Sequence, residues 1–418
     1  MNVLMLISLF YAFQEPQDFH TLRKQSTEAY RDDDYQTFYR YSEAARRLRP
    51  EDASGMANLA YGCALTGRPA EAMKWFVILA EMGLRFDLED EDLASLKGTP
   101  GYEDLKKKFK ANMTPVSSST KAFSLKQRDL FPEGIAYDGN TKSFLVGSIY
   151  HRKIDRVDPD GSVTNFISAA RDGMWSVLGL AVDAKRRELL ACSSAIDQTR
   201  GLVKADLGKS GIFRFNLDTG KLMKRYLLDN KNGTHNLGDL TIAANGDVYA
   251  SDSDSGDIYR IKAGSDELTV FLHSKELRSP QGLCFSADGK RLYLADYSYG
   301  LFAIDMKTRA LTRLDFAKPQ ALYGLDGLVM HGNSLIGIQN GLEPNRIVRW
   351  DLDATGLKVG QGKVLEANHR LYAEPTLGTL VGDTFYFVAT SQWGSYDDDN
   401  RPLPNKELKP IQILALKL

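Results

Sequence analysis

The sequence predicts a mainly β chain, a six-bladed β-propeller preceded by a small all-α domain. Three observations carry this. From Lys121 onward, short alternating apolar strands recur with turn residues between them. The recurring unit appears six times at a period of about 40–45 residues, that of a propeller blade. Residues 19–110 instead space their apolar positions every three to four residues, as helices do.

The chain has 418 residues, 43% hydrophobic and 26% charged, a globular composition with room for two domains. The net charge of −1 gives no broad basic field for nucleic acid or an anionic membrane surface. Cys63, Cys192 and Cys284 are too few and too scattered for a disulfide framework or a zinc site, and read as small buried hydrophobes. In MNVLMLISLFYAFQEPQD, Val3 to Phe13 is an apolar run too short to span a bilayer. It fits a secretory signal over residues 1–14, although no Lys or Arg precedes it and no Ala-x-Ala site follows. The alternative is an apolar first helix packed on the next domain. The expectation is an exported, periplasmic or secreted, soluble protein without a transmembrane span.

The helical domain covers residues 19–112. In SGMANLAYGCALTGRPAEAMKWFVILAEMG, Gly67 ends one helix and Arg68-Pro69 opens the next. The stretch resembles a tetratricopeptide repeat: Leu59, Ala60, Gly67, Ala72 and Phe76 match its packing positions, and Ala45 and Pro50 match a weaker copy upstream. The resemblance implies either a docking module for a protein partner or a helical cap or spacer. ANMTPVSSSTKAF then breaks the periodicity, and residues 113–120 read as a linker.

Residues 121–418 form the propeller. First strands start at EGIAYD, LGLAVD, GDLTIAANG, QGLCFSADG, DGLVMHG and PTLGTLVG. Second strands follow as SFLVGSI, ELLACSS, DVYASDS, RLYLADY, SLIGIQN and TFYFVAT, and each copy has a third strand. The sixth copy stops after its third strand. KAFSLK, from Lys121 to Lys126, is unpaired ahead of the first copy and supplies the missing strand, removing an exposed edge.

In such blades the loops into the first strand and those from the second strand to the third share one face. Glu133, Asp239, Gln281, Asp326 and Glu374 therefore crowd the axis, with Trp175, His235, Asn236, Tyr323 and Tyr372 in the approaching loops. Long connections at Ala195 to Ser210 and from Ser391, the latter carrying Trp393, lie on the same face. Carboxylates gathered on one axis repel unless protonated, wet or bound to a cation. A hard divalent ion answers this, Ca²⁺ first, with Zn²⁺ or another metal as alternatives. SDSDSGD, from Ser251 to Asp257, lacks the ligands of a calcium loop and reads as a tight turn; Asp397 to Asp399 reads as a solvated loop tip.

At these residues the chain resembles the gluconolactonase/regucalcin family, with paraoxonase and strictosidine synthase-like relatives. Glu133 in FPEG and Asp326 in GLDG match the family's metal-ligating steps. Gln281 stands where the family has an asparagine in a PNG step. Gly238 stands at a further asparagine position, followed by an acid, Asp239. The resemblance implies metal-assisted hydrolysis of a lactone or ester, with Glu133, Asp239, Gln281 and Asp326 around the cation. Asp326, Asp239 or His235 would activate water. Trp175, Asn236, Tyr323, Tyr372, Glu374 and Trp393 are the expected contacts to a small-molecule substrate. The rival expectation is a non-catalytic binding propeller.

Overall fold

The structure is a computed structural model that describes residues 18–316 and 318–418. The expected signal segment, residues 1–14, lies outside the described residues. The chain forms two compact units. One takes in the described residues up to Phe76 together with Leu88–Tyr102; the other joins Val77–Asp87 to Glu103–Leu418.

The helices are α1 (Phe19–Arg31), α2 (Tyr35–Leu48), α3 (Ala53–Leu65), α4 (Pro69–Glu81) and α5 (Tyr102–Asn112). Three aspartates start the first three. Asp18, Asp34 and Asp52 accept from the backbone N–H of Thr21, Thr37 and Gly55 and satisfy donors that a helix start leaves orphaned. Gly67 closes α3 with a left-handed φ of 73°, and Pro69 opens α4. Leu59, Ala60, Ala72, Phe76 and Ala45 are buried among these helices. A Cβ on Gly62 of α3 would lie 3.0 Å from the Tyr39 Cα of α2, so the small residue lets the two backbones approach. Among the described residues no helix is long and apolar enough to cross a membrane.

Six four-stranded sheets form the blades. Their first strands, blades I to VI, are Ile135–Asp138, Ser176–Asp183, Leu237–Ile242, Pro280–Phe285, Leu325–His331 and Gly378–Val381. Blade VI is completed by Thr120–Leu125, which pairs antiparallel with Ile411–Lys417 and places Leu125 opposite Ile411. The ring closes as the repeat pattern requires. A short parallel ladder, Asp315–Phe316 with Lys358–Val359, is an addition the repeat pattern does not contain. Second strands are largely buried, and Glu188–Ser194 wholly so, because other strands flank both edges and neighbouring blades cover both faces. Outer strands such as Val163–Ile167 stay largely exposed. The three cysteines are free and buried.

A bulge recurs in the first strands of blades II to V. Val177 and Leu180 pair with Ser193 and Ala191, so three steps on one strand meet two on the other. The same slip falls between Leu237 and Leu240, Pro280 and Leu283, and Leu325 and Leu328. One extra residue per strand re-aims the side chains at that point.

Candidate functional site at the propeller hub

The bulges build the hub. Their inserted pairs are Leu178-Gly179, Gly238-Asp239, Gln281-Gly282 and Asp326-Gly327, and Glu133-Gly134 takes the corresponding place in blade I. The first member of every pair lines one cavity of about 280 Å³. The second member packs against the neighbouring first strand. A Cβ on Gly134 would fall 2.2 Å from the Leu178 carbonyl oxygen, which only glycine avoids. Asp239 occupies this glycine place in blade III. Its carboxylate accepts from the Leu240 N–H at 2.8 Å, and the residue lines a second cavity of about 440 Å³ farther along the first strands. The blade III step thus presents Gly238, not the acid, to the hub. Gln281 uses the space: a Cβ on Gly238 would sit 2.9 Å from Gln281 Oε1.

Asn236, Tyr297, Asn340, Glu374 and Trp393 complete the hub cavity. Tyr297 and Asn340 follow directly on the second strands Arg291–Asp296 and Ser334–Gln339. The sequence points to the loops into first strands and to the two longest connections from second to third strands, and these two residues lie in neither. Their signal was the last residue of RLYLADY and SLIGIQN, two copies of one repeat position.

Buried polar side chains at the ends of the second strands hold the loops. Asp296 accepts four backbone N–H groups, from Arg278, Ser279, Ser298 and Tyr299, at 2.8–3.0 Å. Asp252 accepts from Asn236, Asp254 and Ser255 and pairs with His235 Nδ1 at 2.7 Å. Gln339 donates to the carbonyls of Ala321 and Tyr323, and Ser193 accepts from the Trp175 N–H. All four side chains are fully buried.

Glu133 Oε2 accepts from Trp393 Nε1 at 2.8 Å and from the Ser391 hydroxyl at 3.3 Å. Asp326 Oδ2 accepts from Asn340 Nδ2 at 2.7 Å. Burial first, then the charge of Asp326, pushes the Glu133 carboxyl well above the usual carboxylate range. Burial raises Asp326 to about 6 and Asp239 to about 7. Burial also raises Glu374, whose backbone is held at a left-handed φ of 65° immediately before Pro375. The amide oxygens of Asn236 and Asn340 are buried and accept no hydrogen bond. Among the described residues no three His, Cys, Asp or Glu side chains converge closely enough to hold an ion by themselves. Any cation here needs amide oxygens as well.

Of the expected site residues, the structure brings Glu133, Asn236, Gln281, Asp326, Glu374 and Trp393 to one cavity. The others have different surroundings. His235 is held by Asp252 and lies edge-on to Tyr259. Trp175 is buried against Phe213 and donates to Asp206 at 3.3 Å. The Tyr372 hydroxyl donates to Glu366 at 3.0 Å. Tyr323 contributes its carbonyl to Gln339 and is not among the residues lining the hub.

Fold and site together define a six-bladed propeller whose hub opens into a pocket of acids and amides. The chain belongs to the SMP-30/Gluconolactonase/LRE-like family, which it matches over residues 131–355, more than half its length. Membership supports a lactonase-type hydrolase in general. No curated protein matches the chain. Among solved structures it is similar to a Xanthomonas campestris gluconolactonase, at 16% identity over 71% of this chain and 89% of that one, with a TM-score of 0.49. It is similar to a luciferin-regenerating enzyme at 14% identity over 73% and 96% of the two chains, TM-score 0.49. It is also similar to Staphylococcus aureus virginiamycin B lyase at 17% identity over 71% of this chain and 99% of that one, with a TM-score of 0.46. The family match alone carries the assignment.

Proposed function

We propose that the hub cavity hydrolyses a lactone or ester with the help of a divalent cation, Ca²⁺ in first place. The observation that carries this reading is the donor set. Two buried amide oxygens without a hydrogen bond, on Asn236 and Asn340, belong to the same cavity as the carboxylates of Glu133, Asp326 and Glu374. An all-oxygen set of carboxylates and amides suits a hard cation. Glu133, Asp326, Gln281, Asn236 and Asn340 would hold it, and when bound it would polarise the carbonyl under attack.

The chain's own groups do the remaining work. Glu374, half-buried with a raised pKa, accepts the proton of the attacking water. The Tyr297 hydroxyl, whose pKa burial raises further, stays protonated and donates to a substrate oxygen. Leu178 and the Trp393 ring form the apolar wall. Asp239 and His235 lie outside this cavity, so the base role passes to Glu374. The test is initial rates on a panel of γ- and δ-lactones, before and after chelation. Turnover that chelator removes, that Ca²⁺ or Zn²⁺ restores, and that Glu133→Ala abolishes supports the reading.

A second reading, a non-catalytic binding propeller, draws on the absence of three converging acids among the described residues and on Gly238 and Gln281. It predicts no turnover and ligand binding indifferent to chelator.

A further inference from the structure

One region of the propeller-containing unit shares no lining residue with the hub. There a cavity of about 470 Å³ is lined by Arg346, Lys318 and a largely apolar wall that includes Ile78, Pro319, Val348 and Val364. Arg346 is 6% exposed. Its Nε donates to Gln339 Oε1 at 2.8 Å and its Nη1 to the Met82 carbonyl at 3.3 Å. Both partners are neutral, and among the described residues no carboxylate pairs with this guanidinium. Burial lowers its pKa to about 10, which leaves it charged at neutral pH. A buried cation without a counter-charge is costly, and an anion from solution relieves that cost.

The buried Gln320 in the cavity wall is already used, and Gln361 is exposed. Gln320 accepts from Trp350 Nε1 and the Gly362 N–H and donates to the Gly360 carbonyl. Glu81, the acid at the rim, is exposed and faces Lys108 at 3.8 Å. Lys318 stands exposed at the rim and adds a second positive charge. Val364 is 39% exposed although it faces the cavity, so apolar surface is left uncovered beside the charge. A planar guanidinium with donors to spare recognises a carboxylate by a two-pronged contact.

We infer that this cavity binds a small carboxylate with an apolar body, its carboxyl on Arg346 and its hydrocarbon or aryl part against Pro319, Val348 and Val364. The site stands independently of the hub chemistry. A free inorganic anion shares only the charge, so the test separates the two. Octanoate, phenylacetate, octanamide and sulfate are titrated by calorimetry into the full chain, its Val364→Trp variant and its Lys318→Glu variant. Arg346→Gln is the obvious change, but it also removes a donor to Gln339 and can unfold the blade; the other two variants avoid that. The expected result is saturable binding of octanoate or phenylacetate, about tenfold or more tighter than octanamide. Val364→Trp fills the cavity and weakens binding about tenfold or more, with the urea-unfolding midpoint of the chain unchanged. Lys318→Glu weakens the carboxylates and leaves octanamide where it was. The inference is overturned if octanamide binds as well as octanoate, if sulfate binds as tightly as either carboxylate, or if Val364→Trp binds like the parent.

Discussion

A Cβ on Gly238 would meet Gln281 Oε1 at 2.9 Å, the far end of a flexible side chain, so a side chain in blade III would have the longer amide in blade IV turn aside from its present place. Each residue departs from the asparagine that the resemblance leads one to expect at its position, and the absence of a side chain at Gly238 leaves room for that of Gln281. Gly238→Asn alone therefore crowds Gln281, whereas Gly238→Asn with Gln281→Asn exchanges one long amide for two short ones. Chemical denaturation of the four-member cycle should show a favourable coupling of about 0.5–3 kcal/mol between the two changes. Strict additivity would mean that the residues do not share the space. Both residues are legible in the sequence, but their proximity is not, because spatial complementarity between blades has no signature along the chain. The sequence alone places Asp239 at the hub for a related reason. Only the bulge register assigns that acid to the place glycine holds in Gly134, Gly179, Gly282 and Gly327.

The blade is where the pattern was easiest to follow. Its period, its strand order and the closing strand at Thr120–Leu125 were all legible, since six copies repeat the same alternation. The buried polar residue at the end of the second strand was legible as a position but not as a role. SDSDSGD is a turn, as its place in the repeat suggested, yet Asp252 within it ties three backbone N–H groups and His235 together. That contact explains why His235, selected for its chemistry, is turned toward the blade. Trp175 and Tyr372 are likewise directed by local partners, Asp206 and Glu366, that topology does not reveal. Asp296 is the strongest test of this device. Asp296→Ala leaves four buried or half-buried N–H groups without their acceptor and should destabilise the protein by about 3–5 kcal/mol in urea unfolding. A loss below about 1 kcal/mol would show that the loops hold themselves.

Across the whole molecule, the hub acids set a pH dependence of their own. Asp326 and Asp239 titrate near 6 and 7 when folded, against the ordinary 3.8, and Glu133 is raised as well. Between those limits the native state holds protons that the unfolded chain has released, so the hub's contribution to stability falls as pH rises from about 4 to about 7. Acids paired with arginine act oppositely: buried Asp138, lowered to about 2 chiefly by its hydrogen bonds from Arg187, loses its contribution only below pH 4. Metal-free protein should therefore have a higher denaturation midpoint at pH 5 than at pH 7.5. Asp326→Asn should flatten that slope, and added Ca²⁺ should raise the midpoint most at pH 7.5. A midpoint that rises with pH in the metal-free parent would contradict the burial of these acids.

The most direct measurement is the metal content of the purified full chain and of Glu133→Ala, each equilibrated with Ca²⁺ or Zn²⁺ and then freed of excess ion. The account predicts about one equivalent of cation in the parent and essentially none in the variant. No bound cation in the parent, or equal amounts in both proteins, would contradict it.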